Sequence, residues 1–148
     1  LKSAISNLSL GSKAPRIFKA LVNAICFGSK MIVDRFEQED VKIDSVIGIG
    51  GVARKSEFIM QTLSNVLKMP IKVASSDEAP ALGAAIYAAV AEGLYQDVIE
   101  AGKKLGSSYE AEYYPQPDKL EEFENHLQAY KKLSSFVEES VNVKKQLI

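Results

Sequence analysis

The sequence predicts an α/β fold with two parallel strands and about four helices. Three observations lead to this prediction: two short apolar segments rich in β-branched residues, a helical segment between them, and further amphipathic segments on either side. Strand, helix and strand in this order normally form two parallel strands joined by a right-handed crossover. Since two strands are too few for a stable sheet, we expect the sheet to be incomplete within these 148 residues.

The first helix is predicted from Ala14 to about Glu39. Pro15 suits its first turn, and apolar residues such as Phe18 and Leu21 recur along it at helical spacing. The segment 45–49 is short, apolar and β-branched, which indicates a buried strand.

The helix and the strand that complete the crossover are predicted from the same kinds of apolar pattern. A helix is predicted from about Arg54 to Leu67 and a second strand at Ile71–Ala74. Oxygen atoms of residues 75–78 are expected to cap a helix that begins near Pro80 and runs to about Leu105.

The C-terminal part is predicted to contain a loop and one helix. Residues 106–118 should be irregular, with Pro115 and Pro117 blocking helix. Apolar residues from Leu120 to Val137 then recur at the spacing of a last amphipathic helix.

Composition and charge narrow the classes of function. The chain is 47% hydrophobic and 25% charged, as ordinary globular proteins are, and its net charge of -1 does not favour nucleic acid or an anionic membrane as a partner. No apolar run approaches the ~20 residues that span a bilayer. Cys26 is the single cysteine, so a reducing, cytoplasmic setting is expected. We also expect this sequence, which begins with Leu1, to be a piece of a longer polypeptide.

The most informative segment is the turn that follows the first strand. The strand ends at Gly50 and Gly51, and a helix begins directly after them. Glycine lets the backbone turn sharply and lets a flat or anionic ligand approach, and the free amides of a helix start favour phosphate or polar ring atoms. The same residues also suit a plain strand-to-helix turn that binds nothing.

A dinucleotide fingerprint is a rival interpretation of this turn. Gly48, Gly50 and Ala53 fit the spacing G-x-G-x-x-G/A, and Asp77 lies near the end of the next strand as a candidate ribose-binding acid. That pattern would indicate an NAD(P)-binding Rossmann-type domain. However, a long helix precedes this turn, whereas the usual fingerprint follows the first strand of its fold.

Several stretches together resemble the C-terminal part of the FGGY family of carbohydrate kinases. They are the run from Gly50 to Ser56, the run from Ile59 to Gln61, the run from Ala81 to Ala85, and the helix from Ala14 to Leu21. The resemblance covers about residues 8 to 140 and implies part of an actin-like ATPase (ribonuclease H-like) domain. Within the family, residues 51–55, residues 73–77 and the C-terminal extension are most similar to members that phosphorylate L-ribulose.

The resemblance implies a role for individual residues of the turn. Gly50, Gly51 and Val52 would line the adenine and ribose side of ATP. Ser56 stands where many family members have an Asn that reads the adenine edge; capping of the helix is its alternative role. Gly83 would allow close helix packing at an interdomain hinge.

The resemblance also implies a reaction, the transfer of the γ-phosphoryl group of ATP, with Mg²⁺, to a terminal hydroxyl of L-ribulose or a related pentulose or polyol. The catalytic Asp and the sugar contacts would lie in an N-terminal domain outside this chain, which alone should be inactive. Residues 1–106 would belong to the ATPase domain and residues 107–148 to a loop and helix extension. A non-catalytic actin-like scaffold remains an alternative.

Other candidate residues are assigned to structure or to contacts between chains. Arg54 and Lys55 are expected to be solvated cations rather than phosphate ligands, and His126 has no partner at metal-ligand spacing. An incomplete sheet would leave one edge of the strand 45–49 unpaired, and helix residues including Phe18 would be exposed, so we expect this chain to self-associate.

Overall fold

The computed structural model describes residues 3–145, with side chains described from residue 3 to residue 141. In chain order the elements are α1 (Ala14–Gln38), β1 (Val46–Gly48), α2 (Gly50–Lys55), α3 (Glu57–Leu67), β2 (Ile71–Ala74), α4 (Ala79–Ala91), α5 (Val98–Leu105), β3 (Tyr109–Tyr113), a 3-10 turn (Pro117–Lys119) and α6 (Leu120–Lys145). The described residues form two compact units. We call them the sheet unit (residues 43–64 and 69–115) and the helical unit (residues 3–42, 65–68 and 116–145).

The sheet unit is built on three strands in the order β1-β2-β3. β1 and β2 are parallel, with Val46 opposite Ile71 and Gly48 opposite Val73, as the crossover predicts. Ile71 and Val73 are completely buried, so β2 forms the centre of this unit. The predicted pair of parallel strands is therefore confirmed.

β3 was not predicted, and the expectation of irregular structure throughout residues 106–118 is wrong at this strand. β3 runs antiparallel to β2, with Lys72 opposite Glu112 and an irregularity between Val73 and Ala74. Lys72 of β2 makes two contacts with β3. Its Nζ lies 3.4 Å from Glu112 Oε1, as an ion pair, and 5.0 Å from the ring centre of Tyr109, as a cation–π contact. These pairs stabilise a strand whose own sequence is largely polar.

β1 differs from its prediction in burial. It is shorter than predicted and forms an edge of the sheet within the described residues, so Ile47 and Ile49 are about half exposed. A buried strand was therefore the wrong expectation for this chain. No described strand pairs with the outer edge of β1, and the incomplete sheet expected from the sequence stays a prediction.

Two predicted helices are each divided. The helix expected from Arg54 begins earlier, at Gly50, and breaks at Ser56 before α3 starts. The helix expected to reach Leu105 ends at Ala91, near Gly93 with a φ of +75°. A side-chain cap then starts α5: Asp97 Oδ1 accepts the Glu100 amide at 2.8 Å, while the Glu100 carboxylate accepts the amide of Gln96, the residue before the cap.

The predicted cap of α4 is not formed. Its N-cap residue is Glu78, and no side chain accepts a helix amide there. Ser75 instead bonds to Ser108, with its amide 2.9 Å and its hydroxyl 3.0 Å from the Ser108 carbonyl oxygen. The Ser75 side chain therefore binds the segment before β3 instead of capping α4.

The helical unit packs α1 against α6, and both helices lie where the sequence predicts them. Its core contains Val22, Cys26, Phe27, Phe123 and Leu127, all buried. The opposite side of α1 remains apolar but uncovered in the described structure, because Phe18, Leu21 and Ile25 are each about half exposed or more. No helix within residues 3–145 is both long and apolar enough to cross a membrane.

Candidate functional site

The glycine turn lies at the carboxyl end of β1, in the sheet unit. Ile49 is still extended, with a φ of -127°, and Gly50 then adopts a φ of +81° as α2 begins. This left-handed conformation is strained for any residue with a Cβ, so glycine is required at position 50 by the backbone itself. Ligands of open α/β sheets bind at this end of parallel strands.

The three glycines of the turn region differ in what a side chain at each position would contact. A Cβ added to Gly48 would lie 3.0 Å from the Ala53 Cβ and 3.3 Å from the Met60 Sδ, so Gly48 is required by packing beneath α2. A Cβ added to Gly50 or Gly51 would meet no heavy atom within 4 Å. The backbone of Gly50 and Gly51 is therefore open to a ligand, and that of Gly48 is not.

Val52 and Ser56 complete the predicted site, and both belong to the same turn and its helices. Val52 is exposed, with 61% of its surface accessible beside the open glycines. Ser56 stands at the junction of α2 and α3, where its Oγ accepts the Ile59 amide at 3.4 Å. The helix-capping role is therefore present in the structure, and the hydroxyl hydrogen of Ser56 is not needed for it.

Arg54 is held by two carboxylates of the sheet unit. Its Nε lies 2.7 Å from Glu110 Oε1, and its Nη1 forms an ion pair with Asp77. The hydrogen bond to Glu110 raises the pKa of the guanidinium above its already high ordinary value, so Arg54 stays charged. Arg54 is thus not the solvated cation that the sequence predicts, and Asp77 serves an ion pair instead of the α4 cap.

Side chains of α3 fix the end of β3. Gln61 Nε2 donates to the Tyr114 carbonyl oxygen at 2.8 Å, and the hydroxyl of Ser64 lies 2.9 Å from the Met69 carbonyl oxygen and 3.1 Å from that of Tyr113. These bonds satisfy backbone groups where β3 leaves the sheet. Sequence reasoning missed this role, although the alternating pattern from Tyr109 to Tyr113 could have indicated a strand.

A short network continues along β3. The hydroxyl of Tyr114 donates to Glu112 Oε2 at 2.6 Å. This bond, with a smaller contribution from Lys72, lowers the pKa of Glu112, and the same bond raises the pKa of Tyr114. Both groups are therefore held in the charge states that favour the cross-strand pair at neutral pH.

The remaining candidates take no part in the turn. Lys55 is exposed. A Cβ at Gly83 would meet no heavy atom within 4 Å, and α4 has no buried residue, so the close packing predicted there is absent from the described residues. His126 belongs to the helical unit, where it lines a largely apolar cavity of about 330 Å³ together with Asn23 and Tyr130.

The described side chains do not supply a metal site of their own. Among them, no three His, Cys, Asp or Glu residues are grouped so that they could hold an ion. Magnesium at a nucleotide site usually takes one or two carboxylates together with substrate phosphates, and the Asp77 and Glu110 carboxylates beside α2 are already paired with Arg54.

Solved structures identify the class of fold. The described chain aligns with the crystal structure of xylulose kinase from Rhodospirillum rubrum with a TM-score of 0.78 and 18% identity, over 90% of this chain and 27% of that one. The fold is that of the actin-like ATPase domain found in sugar kinases of this kind.

Sequence relatives identify the family. Residues 1–92 match the model described as the FGGY family of carbohydrate kinases, C-terminal domain. A ribulokinase of Vibrio parahaemolyticus is 46% identical over 79% of this chain and 21% of its own length; one of Bacillus licheniformis is 34% identical over 99% of this chain and 27% of its own. The chain belongs to the FGGY family of carbohydrate kinases.

The chain spans about a quarter of the length of these curated relatives. Neither the family match nor the solved structures support the NAD(P)-binding interpretation. The packing of Gly48 against Ala53 gives that glycine a structural reason outside the dinucleotide fingerprint.

Proposed function

We propose that this chain is the C-terminal, nucleotide-binding part of an ATP-dependent sugar kinase that phosphorylates L-ribulose, or a related pentulose or polyol, at a terminal hydroxyl. The observation that carries the proposal is the open backbone of Gly50 and Gly51 after a parallel strand, in a chain of the FGGY family. The preference for ribulose rests on the relatives, which are named ribulokinases.

In this proposal Gly50, Gly51 and Val52 line the adenine and ribose side of ATP. The open space over the two glycines and the exposure of Val52 support this role. Ser56 uses an oxygen lone pair to cap α3, which leaves its hydroxyl hydrogen able to donate to an adenine nitrogen.

The proposed reaction depends mainly on positioning and on stabilisation of charge as the γ-phosphoryl group moves. A carboxylate must accept the proton of the attacking sugar hydroxyl. We place that Asp, together with the sugar contacts and the remaining magnesium ligands, in the part of the kinase outside this chain. Residues 1–106 would then complete the ATPase domain, with residues 107–148 as its extension, in a cytoplasmic enzyme.

The test compares two proteins in a coupled assay of ADP release with ATP, Mg²⁺ and a panel of L-ribulose, D-xylulose and glycerol. One is the intact polypeptide that contains this chain, here called the intact kinase, and the other is the 148-residue chain. We expect turnover by the intact kinase with L-ribulose preferred, and none by the chain alone. A clear preference for glycerol or xylulose would contradict the substrate, and sugar-dependent turnover by the chain would contradict its assigned part.

A further inference from the structure

The glycine turn depends on few contacts within its own helix. α2 has six residues, and a helix this short gains little from its own hydrogen bonds. Ala53 is its buried residue, packed over Gly48. Arg54 also attaches α2 to the rest of the sheet unit, through ion pairs with Glu110 and Asp77.

We propose that Arg54 is a positioning residue for ATP binding, which holds the turn at Gly50 and Gly51 in place through Glu110 of β3 and Asp77 of the loop after β2. The inference rests on the proposed function of this turn. It adds that β3 takes part in nucleotide binding through Arg54, although β3 lies beyond residues 1–92, which match the family domain.

The geometry uses a property that is particular to arginine. Two different nitrogens of one planar guanidinium face two carboxylates from separate segments of the chain. A lysine ammonium is a point charge and cannot reproduce this fixed two-sided arrangement. The Arg54 and Glu110 side chains are 26% and 30% exposed, so bulk salt screens their pair less than it screens the pair with Asp77, whose side chain is 81% exposed.

Loss of Arg54 would change both the position of the turn and the local charge. Asp77 and Glu110, which meet the same guanidinium, would be left as two carboxylates without it. These negative charges would repel the phosphates of ATP and oppose its binding. ATP binding should therefore weaken, while the sugar and the chemical step, which depend on other residues, should change little.

The strand β3 provides a matched control. Glu112 lies two residues from Glu110 and forms a similar cross-strand pair, with Lys72. Glu110→Gln weakens the attachment of Arg54, whereas Glu112→Gln removes a carboxylate charge from the same strand without touching Arg54. If the substitutions acted only by destabilising β3, both variants would show the same rise in KM for ATP.

The experiment measures KM for ATP, KM for sugar and kcat in the intact kinase, with ATP affinity measured separately by calorimetry. We expect KM for ATP to rise about 10-fold in Arg54→Ala, less in Arg54→Lys and several-fold in Glu110→Gln, with kcat and sugar KM within about twofold of wild type. Glu112→Gln should keep the wild-type KM for ATP. Equal KM values for ATP in Glu110→Gln and Glu112→Gln would overturn the inference, even if Arg54→Ala fails to fold.

Calorimetry separates this inference from the proposed function. Wild-type protein that binds ATP but phosphorylates no sugar would contradict only the proposed reaction. Active wild-type protein whose ATP affinity is unchanged by Arg54→Ala would contradict only the role of Arg54. Wild-type protein that does not bind ATP would contradict both.

Discussion

Gly48 and Ala53 are so close that a Cβ on the glycine would lie 3.0 Å from the Cβ of the alanine. The methyl group of Ala53 is fixed to α2 and buried, so it cannot move aside without moving the helix. The nearby Met60 sulfur, 3.3 Å from the same point, belongs to a flexible side chain that can adjust. The contact therefore sets how closely α2 approaches β1.

The first prediction concerns this contact. Gly48→Ala should destabilise the sheet unit by about 1–3 kcal/mol, because it overpacks a close-packed site. Urea unfolding of the intact kinase, followed by a probe in this part of the protein, should show a lower midpoint. Gly51→Ala is the control, since its Cβ meets no heavy atom within 4 Å. Equal midpoints for the two variants would show that α2 is free to shift.

The second prediction concerns Cys26. Burial raises the pKa of its thiol to about 11, because the folded interior disfavours the thiolate. At pH 8 its reaction with a disulfide reagent should be slower in the native protein than in urea by ~10² or more, since the thiolate is the reactive form. Rapid native labelling at this cysteine would contradict the burial of Cys26.

The same pKa shift gives a pH dependence. Since the folded-state pKa is raised from 9.0 to about 11, the stability that Cys26 contributes is present below pH 9 and decreases as the pH rises through 11. Cys26→Ala should remove this part of the loss of stability in alkaline solution. Parallel stability curves for the variant and the wild type across this range would contradict the shift.

The third prediction concerns the 148-residue chain by itself. The uncovered side of α1 exposes Phe18, Leu21 and Ile25, and the parts of the curated relatives that this chain does not span are absent from it. We propose that a second copy covers this face, so light scattering should give about twice the mass of 16.2 kDa. Phe18→Glu with Ile25→Glu, both at exposed positions, should reduce the dimer. A monomer at micromolar concentration would contradict the proposal.

The sequence predicts well the elements whose apolar pattern is local. β2 lies at Ile71–Ala74 as predicted, and α1 ends within one residue of its predicted end. Burial is harder to predict, because it depends on neighbours: the apolar segment of β1 lies at an edge of the described sheet. The same limit explains α4, whose alanines suggest close packing but meet no described neighbour closely enough to bury them.

Sequence reasoning missed the strand β3 and the ion pairs that its carboxylates form. The carboxylates of β3 pair with Lys72 and Arg54, which come from distant positions in the chain. The role of Arg54 could not be predicted while β3, which carries Glu110, was taken for a loop. Gly50 and Gly51, in contrast, follow the first strand and accompany a helix as predicted, because strand, glycines and helix are consecutive in the sequence, although the two glycines begin α2 instead of preceding it.

In the proposed function, the backbone at Gly51 accepts ATP. Gly51→Val is a clean test, since the added Cβ would meet no heavy atom within 4 Å and φ at this residue is not left-handed. Gly102→Val is the matched control, because Gly102 is another helical glycine with open space around it.

The measurement is the affinity of the intact kinase for ATP and for sugar in these two variants. We expect Gly51→Val to weaken ATP binding at least ~10-fold, or about 1.4 kcal/mol, because the branched side chain occupies the space of the nucleotide. Sugar affinity should be unchanged, and Gly102→Val should bind both substrates as wild type does. An unchanged ATP affinity in Gly51→Val, or equal losses for ATP and sugar, would contradict ATP binding at Gly51.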